Sequence, residues 1–265
     1  MKLAFRKHGI GEPLLILHGL FGQSDNWNSL AIRFAEQGFC VYTADLRNHG
    51  LSPHSNDWSY SLMAEDVAEL IIDEKLRAVN LVGHSMGGMT AMHLAVSRPE
   101  LLNKLLVVDM APKVYPPHHE QVIAGLKSVD FSHIKTRKEA AAQLSKYISD
   151  EPTKQFLLKN IFWKDEQTLA WRFNLPVIET QYKNLNAIFD TDTTRCYTPA
   201  SFIRGGRSNY ILDSDWPLIH QVFPDSQLYT IPNAGHWIHA EAPEAFYQTT
   251  LAILQDRIPA SLPKI

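Results

Sequence analysis

Cysteine is scarce in this chain: two among 265 residues, Cys40 and Cys196, far apart in sequence. They can form one disulfide at most, which excludes a disulfide-stapled secreted scaffold. Reduced thiols in a cytoplasmic protein are the expectation. Long apolar runs are also missing. Residues 13–17 are far too few to span a bilayer, so no membrane insertion is expected. Residues 1–8 carry Lys2, Arg6 and Lys7 where a secretory signal would have its apolar centre. No charge of one sign dominates: 25 Lys+Arg against 28 Asp+Glu give a formal net charge of −3, which argues against nucleic acid as a partner. The 13 glycines form neither G-x-G-x-x-G nor G-x-x-x-x-G-K-[ST], so no nucleotide loop is indicated. No cluster of His, Cys, Asp and Glu has metal-ligand spacing, and no metal or other cofactor is expected.

What the chain does have is 45% hydrophobic and 20% charged residues, the balance of an ordinary globular protein with a large core. Short apolar runs at residues 14–17, 39–43, 79–82, 105–108, 201–204 and 227–231 read as buried strands. Helical patterns lie between them. Trp27, Leu30, Ala31 and Phe34 fall at i, i+3, i+4 and i+7. Met63, Val67, Leu70 and Ile71 repeat that spacing behind Ser61 as the expected N-cap. Strands this apolar, alternating with helices, predict an α/β fold: a mostly parallel central sheet with helices on both faces. From Lys113 to Tyr197 the alternation stops, and the sequence shows helical patterns without a convincing strand. The expected organisation is a core in two parts, residues 1–112 and 198–265, interrupted by a helical cap at 113–197. That insertion leaves the carboxyl edge of the sheet, where ligands bind in such folds.

Gly83-His84-Ser85-Met86-Gly87 carries the strongest chemical signal. It is a G-x-S-x-G element between a predicted strand and a predicted helix, a sharp turn that lifts the serine hydroxyl above the sheet. A serine hydroxyl needs a base to attack a carbonyl. His236 follows Gly235 just after the last predicted strand and is the candidate. Most of the other histidines, His118 and His119 among them, read as solvated loop residues. The base in turn needs an acid to fix its tautomer. The usual loop, after residues 201–204, reads Gly205-Gly206-Arg207-Ser208 and holds no carboxylate. Asp109, at the end of the run 105–108, is the preferred acid, with Asp213 as the alternative. Ser208 then stands where the acid is normally found. It serves either as a hydrogen-bond donor to the Asp109–His236 pair or as a plain turn residue.

His18-Gly19-Leu20-Phe21-Gly22 follows the run 14–17 and suits an oxyanion hole. One N–H is expected from Leu20, with Phe21 as the near alternative, and one from Met86. His18 reads as a structural hydrogen-bonding residue. The polar stretch Asp45-Leu46-Arg47-Asn48-His49-Gly50-Leu51-Ser52 reads as a tight loop braced by Arg47. Phe21, Trp237 and Arg172 are the candidate substrate-binding residues.

Together HGLFG, DLRNHGLSP, GHSMGG, VVDMAP and NAGHWIHAEAP stand in the order seen in α/β-hydrolase fold enzymes. The chain most resembles the small bacterial YbfF-type esterases, whose likeness extends to Phe156-Leu157-Leu158-Lys159 and to Trp171-Arg172-Phe173-Asn174-Leu175-Pro176. The resemblance implies a serine esterase with Ser85 as nucleophile, His236 as base, Asp109 as acid and Ser208 as a fourth member. It implies a small-molecule partner, an acyl ester or an acyl-CoA thioester. Residues 113–195 carry 12 Lys+Arg against 10 Asp+Glu, a slightly basic roof that suits phosphate and equally suits a solvated helical face. A carbon–carbon hydrolase or lyase of the same fold is the alternative, with Arg172 or Arg207 holding a carboxylated substrate.

Overall fold

The computed structural model describes residues 1–117, 119–186 and 190–257. In chain order the strands are β1 (Phe5–His8), β2 (Glu12–Leu17), β3 (Phe39–Ala44), β4 (Val79–His84), β5 (Leu102–Val108), β6 (Ile161–Trp163), β7 (Leu169–Trp171), β8 (Ala200–Gly205) and β9 (Ser226–Ile231). The helices are α1 (Asn28–Ala35), α2 (Tyr60–Asp73), α3 (Met86–Ser97), α4 (Glu120–Ser128), α5 (Arg137–Leu144), α6 (Glu151–Leu158), α7 (Leu175–Gln181), α8 (Trp216–Val222), the short α9 (Ile238–Glu241) and α10 (Pro243–Leu254). Seven strands form one sheet in the order β1-β3-β2-β4-β5-β8-β9. Every neighbouring pair is parallel except β1 with β3, so the fold is the expected α/β architecture.

β3 and β4 are buried along their whole length, which explains why they read as continuous apolar runs rather than alternating ones. One sheet face packs on α2, α3, α8 and the segment between β5 and β8; the other packs on α1 and α10. The amphipathic stripe of α2 is as expected, but its N-cap is Ser59, whose hydroxyl accepts from the Leu62 N–H at 3.2 Å. The reading of Ser61 as the cap is corrected. Tyr60 is itself buried and belongs to the first turn, so the earlier serine meets the unpaired N–H groups.

Three strands escape the sequence pattern. β1 pairs only at the antiparallel edge and alternates weakly. β6 and β7 form a separate antiparallel hairpin, so the segment 113–197 is not purely helical. Three residues per strand is too short for a period of two to show. Cys40 and Cys196 are both buried and unpaired. No described helix is long and apolar enough to cross a membrane.

Candidate active site

Ser85 sits between β4 and α3 with φ 53° and ψ −117°, a conformation that non-glycine residues rarely adopt. Glycine makes the tight turn feasible. A Cβ on Gly83 would lie 2.3 Å from the Gly87 carbonyl oxygen, and one on Gly87 would lie 2.6 Å from the carbonyl oxygens of Leu17 and His18. Both are contacts with backbone, which cannot swing aside. The helix α3 therefore starts hard against the end of β2, and its first N–H groups point at the serine.

The Ser85 Oγ is 2.9 Å from His236 Nε2, and His236 Nδ1 is 2.7 Å from Asp109 Oδ2. Asp109 leaves β5 with φ 51°, a left-handed turn that aspartate tolerates better than most residues. Its carboxylate is fully buried and also accepts hydrogen bonds from the Ser208 hydroxyl and, at 3.2 Å, from the Gly205 N–H. Burial pushes the Asp109 carboxyl up to about 7; the Ser208 hydroxyl, the Gly205 N–H and the Arg204 charge all pull the other way. Asp213 is elsewhere. Its carboxylate pairs with Arg204 at 2.6 Å and its side chain is 80% exposed. Ser208 is thus brought to the Asp109–His236 pair rather than left as a plain turn residue.

Several residues that hold this arrangement gave no sequence signal of their own. The Tyr210 ring stacks on His236 with centroids 3.6 Å apart, and its N–H donates to Ser208 Oγ. Glu241 accepts the N–H groups on both sides of His236, from Gly235 at 2.8 Å and from Trp237 at 3.2 Å. His84 Nε2 donates to the His236 carbonyl at 2.9 Å, and burial lowers its pKa to about 3, so it is a neutral strut.

The loop at residues 18–22 is held by two further neutral imidazoles. His18 Nδ1 donates to the Gly19 carbonyl and its Nε2 accepts from the Leu46 N–H. His49 donates to the Arg47 carbonyl and accepts the Phe21 N–H at 3.2 Å. Burial depresses both, His49 to about 3. The Phe21 N–H is therefore engaged by His49. Among the described residues the N–H groups of Leu20 and Met86 have no partner, and both residues line the cavity beside Ser85. Arg47 braces the neighbouring loop as expected, through Asp66 at 2.5 Å and the carbonyls of Asp57 and Leu62.

Of the candidate substrate-binding residues, Phe21 and Trp237 line a cavity with His236 and Ser85. Arg172 does not. Its guanidinium lies 4.7 Å over the Phe162 ring in the β6–β7 hairpin, away from both cavities at the serine. A planar cation is better placed on an aromatic face than inside an apolar cavity. Arg207 is likewise turned away, to Glu241 at 3.0 Å. His119 is not a solvated loop residue: it lines both cavities, and its ring meets the Tyr182 hydroxyl at 2.7 Å. His118 lies outside the described residues. No group of described His, Cys, Asp and Glu residues is arranged to hold a metal ion.

The chain belongs to the alpha/beta hydrolase family, whose model matches residues 14–249. It is 39% identical to the sn-1-specific diacylglycerol lipase ABHD11 of Mus musculus, over 91% of this chain and 80% of that protein. It is 35% identical to the esterase YbfF of Escherichia coli K12, over 92% of this chain and 94% of that protein. A solved structure described as a marine microorganism esterase superposes with a TM-score of 0.91 at 46% identity, covering 95% of this chain and 98% of the other. By family, fold and relatives together, the chain is a carboxylic ester hydrolase.

Proposed function

We propose that the protein hydrolyses acyl esters by two-step acyl transfer through Ser85. The observation that carries this reading is the unbroken hydrogen-bonded chain from Ser85 through His236 to Asp109. His236 takes the hydroxyl proton as Ser85 Oγ bonds to the ester carbonyl carbon. The N–H groups of Leu20 and Met86 hold the oxyanion. As the tetrahedral species collapses, the bond to the leaving oxygen breaks and His236 delivers its proton there. Water then attacks the acyl-enzyme with its proton passing to His236, and the acid departs as Ser85 regains the proton. Asp109 holds the imidazole in the Nδ1–H tautomer, and Ser208 helps keep that carboxylate charged. The segment 113–197 acts as a cap that roofs the cavities, through Val122, Phe156 and Leu157 on one side and Tyr182 and Leu185 on the other.

A thioester of CoA has less to bind it, because Lys113, the cation at the cavity, is already paired with Asp215. A carbon–carbon hydrolase acting on a carboxylated substrate would need an anchor that Arg172 and Arg207 do not offer at their positions. The test is turnover of p-nitrophenyl acetate and labelling by a fluorophosphonate. Ser85→Ala should lower kcat by roughly 10⁴–10⁶ and abolish labelling. Asp109→Asn should cost orders of magnitude and Asp213→Asn little. Turnover retained in Ser85→Ala would sink the proposal.

A further inference from the structure

The Ser85 hydroxyl stands between two cavities of unequal size, and proton chemistry decides which part of an ester each receives. The smaller, about 50 Å³, is lined by Tyr60, Met86, Met89 and Met110. The larger, about 260 Å³, is lined by His236 and Trp237. His236 has to protonate the departing oxygen, so that oxygen lies on the imidazole side of Ser85. The rest of the leaving group therefore continues into the cavity that His236 lines. The acyl substituent is left with the smaller cavity.

The larger cavity is walled in part by Trp237. Thr153, Phe156 and Trp237 line it and also line a surface groove of about 890 Å³. The two rings stand with centroids 4.3 Å apart, tilted by 51°, as a partition between cavity and groove. Beyond them the groove runs between α6 on one side and α1 with the α9–α10 turn on the other. Its walls include Leu30, Pro152, Ala240 and Pro243. Its charges balance: Arg33 and Lys159 face Asp150 and Glu241. Arg33 is moreover bound to Glu244 at 2.8 Å and lies over the Tyr247 ring. A polyanionic leaving group would find no excess of positive charge here, whereas an alkyl chain or an aryl ring would find apolar walls.

We infer that this groove is the leaving-group subsite of the enzyme, and that it takes the neutral alcohol portion of the substrate. The alcohol runs from Ser85 past Phe156 and Trp237 to the surface, while the acyl side is confined to a few carbons. The inference rests on the esterase reading above and goes beyond it in dividing the substrate between two sites.

Three substrate series test it: ethyl to hexyl acetate, ethyl acetate to ethyl hexanoate, and acetyl-CoA, followed by proton release or free thiol. In the wild type kcat/KM should rise roughly 10- to 100-fold from ethyl to hexyl acetate, because each added methylene leaves water for an apolar wall. It should fall along the acyl series. Ser29 and Ala240 are exposed positions on the wall of the groove that α1 and α9 form. Ser29→Trp and Ala240→Trp should each bring the hexyl-to-ethyl ratio to within about threefold of unity, and the second variant covers a folding failure in the first. A ratio that does not rise, or that survives both variants, overturns the inference. So does a rise along the acyl series, or a preference for acetyl-CoA over hexyl acetate. If no ester is turned over and Ser85 resists the fluorophosphonate, the esterase reading itself fails, and that result is visible before any ratio is formed.

Discussion

Asp109 is the residue on which electrostatics and catalysis pull against each other. A carboxylate that follows four fully buried strand residues is costly to ionise, yet the proposed mechanism needs it charged. Burial raises its pKa, and the Ser208 hydroxyl is the strongest of the groups that lower it again. The proposed mechanism requires Asp109 ionised and His236 free to accept a proton. Activity is therefore present above the raised pKa of the Asp109 carboxyl and is lost as pH falls through it. Removing the Ser208 hydroxyl takes a donor from the charged form, so the carboxyl protonates at still higher pH. Ser208→Ala should shift the acid limb of kcat/KM upward and lower activity roughly tenfold at neutral pH, with recovery in more alkaline buffer. An equal loss at every pH would show that Ser208 only holds the turn. The sequence makes Ser85 readable because glycines stand two residues to either side of it at a strand end, and His236 because it follows Gly235 shortly after the last strand. It makes Asp109 readable because a lone acid follows four apolar residues. His84, His49, Tyr210 and Glu241 are not readable this way. His84 and His49 reach backbone groups distant in sequence, Tyr210 presents a ring to His236, and Glu241 folds back on the turn before it, and no local pattern records these meetings.

The element that matters most is the joint of β2, β4 and α3. Here the sequence is informative for a steric reason: Gly83 and Gly87 mark a place where two backbones meet without room for a Cβ. The same logic shows why the β6–β7 hairpin and the edge strand β1 are hidden. Neither imposes a pattern on its own residues, since three-residue strands have no period and an edge strand has one neighbour. Gly87→Ala should force β2 and the following loop away from α3. Overpacking against backbone costs about 1–3 kcal/mol, or about 2–12 °C in Tm for a chain of this size. Catalysis should suffer more than stability does. The displaced loop carries the Leu20 N–H, and loss of one such donor lowers kcat roughly 10²- to 10³-fold. Thermal unfolding measured beside kcat separates the two effects. A variant with normal kcat would show that the Leu20 N–H is not part of the site.

At the scale of the whole molecule, the segment between β5 and β8 is tied to the core by a few polar links that meet the loops around the candidate site directly. Asn174 donates its N–H to the Asn48 carbonyl at 2.8 Å and its side-chain amide to Asn48 Oδ1 at 3.0 Å. Tyr115 donates to the carbonyl of Tyr210, the residue stacked on His236. The link with most consequence is Asn160, which is fully buried and donates to the Phe21 carbonyl at 2.8 Å. The Phe21 N–H is held by His49 on the core side, so this one peptide-flanked residue is gripped from below by a core loop and from above by the inserted segment. Its φ of 60° is strained for a bulky side chain, and both grips oppose its relaxation. If Asn160 is lost, a buried carbonyl is left unpaired, at a cost of about 1–3 kcal/mol. Asn160→Ala should therefore lower Tm by about 2–12 °C. If the grip only stabilises the fold, kcat on p-nitrophenyl acetate should stay at the wild-type value well below the new Tm. If the inserted segment helps set the oxyanion loop, kcat should fall several-fold at 25 °C while the protein remains folded by circular dichroism. The arrangement of bonds around Phe21 favours the second result, because the strained residue sits next to Leu20, the proposed oxyanion donor.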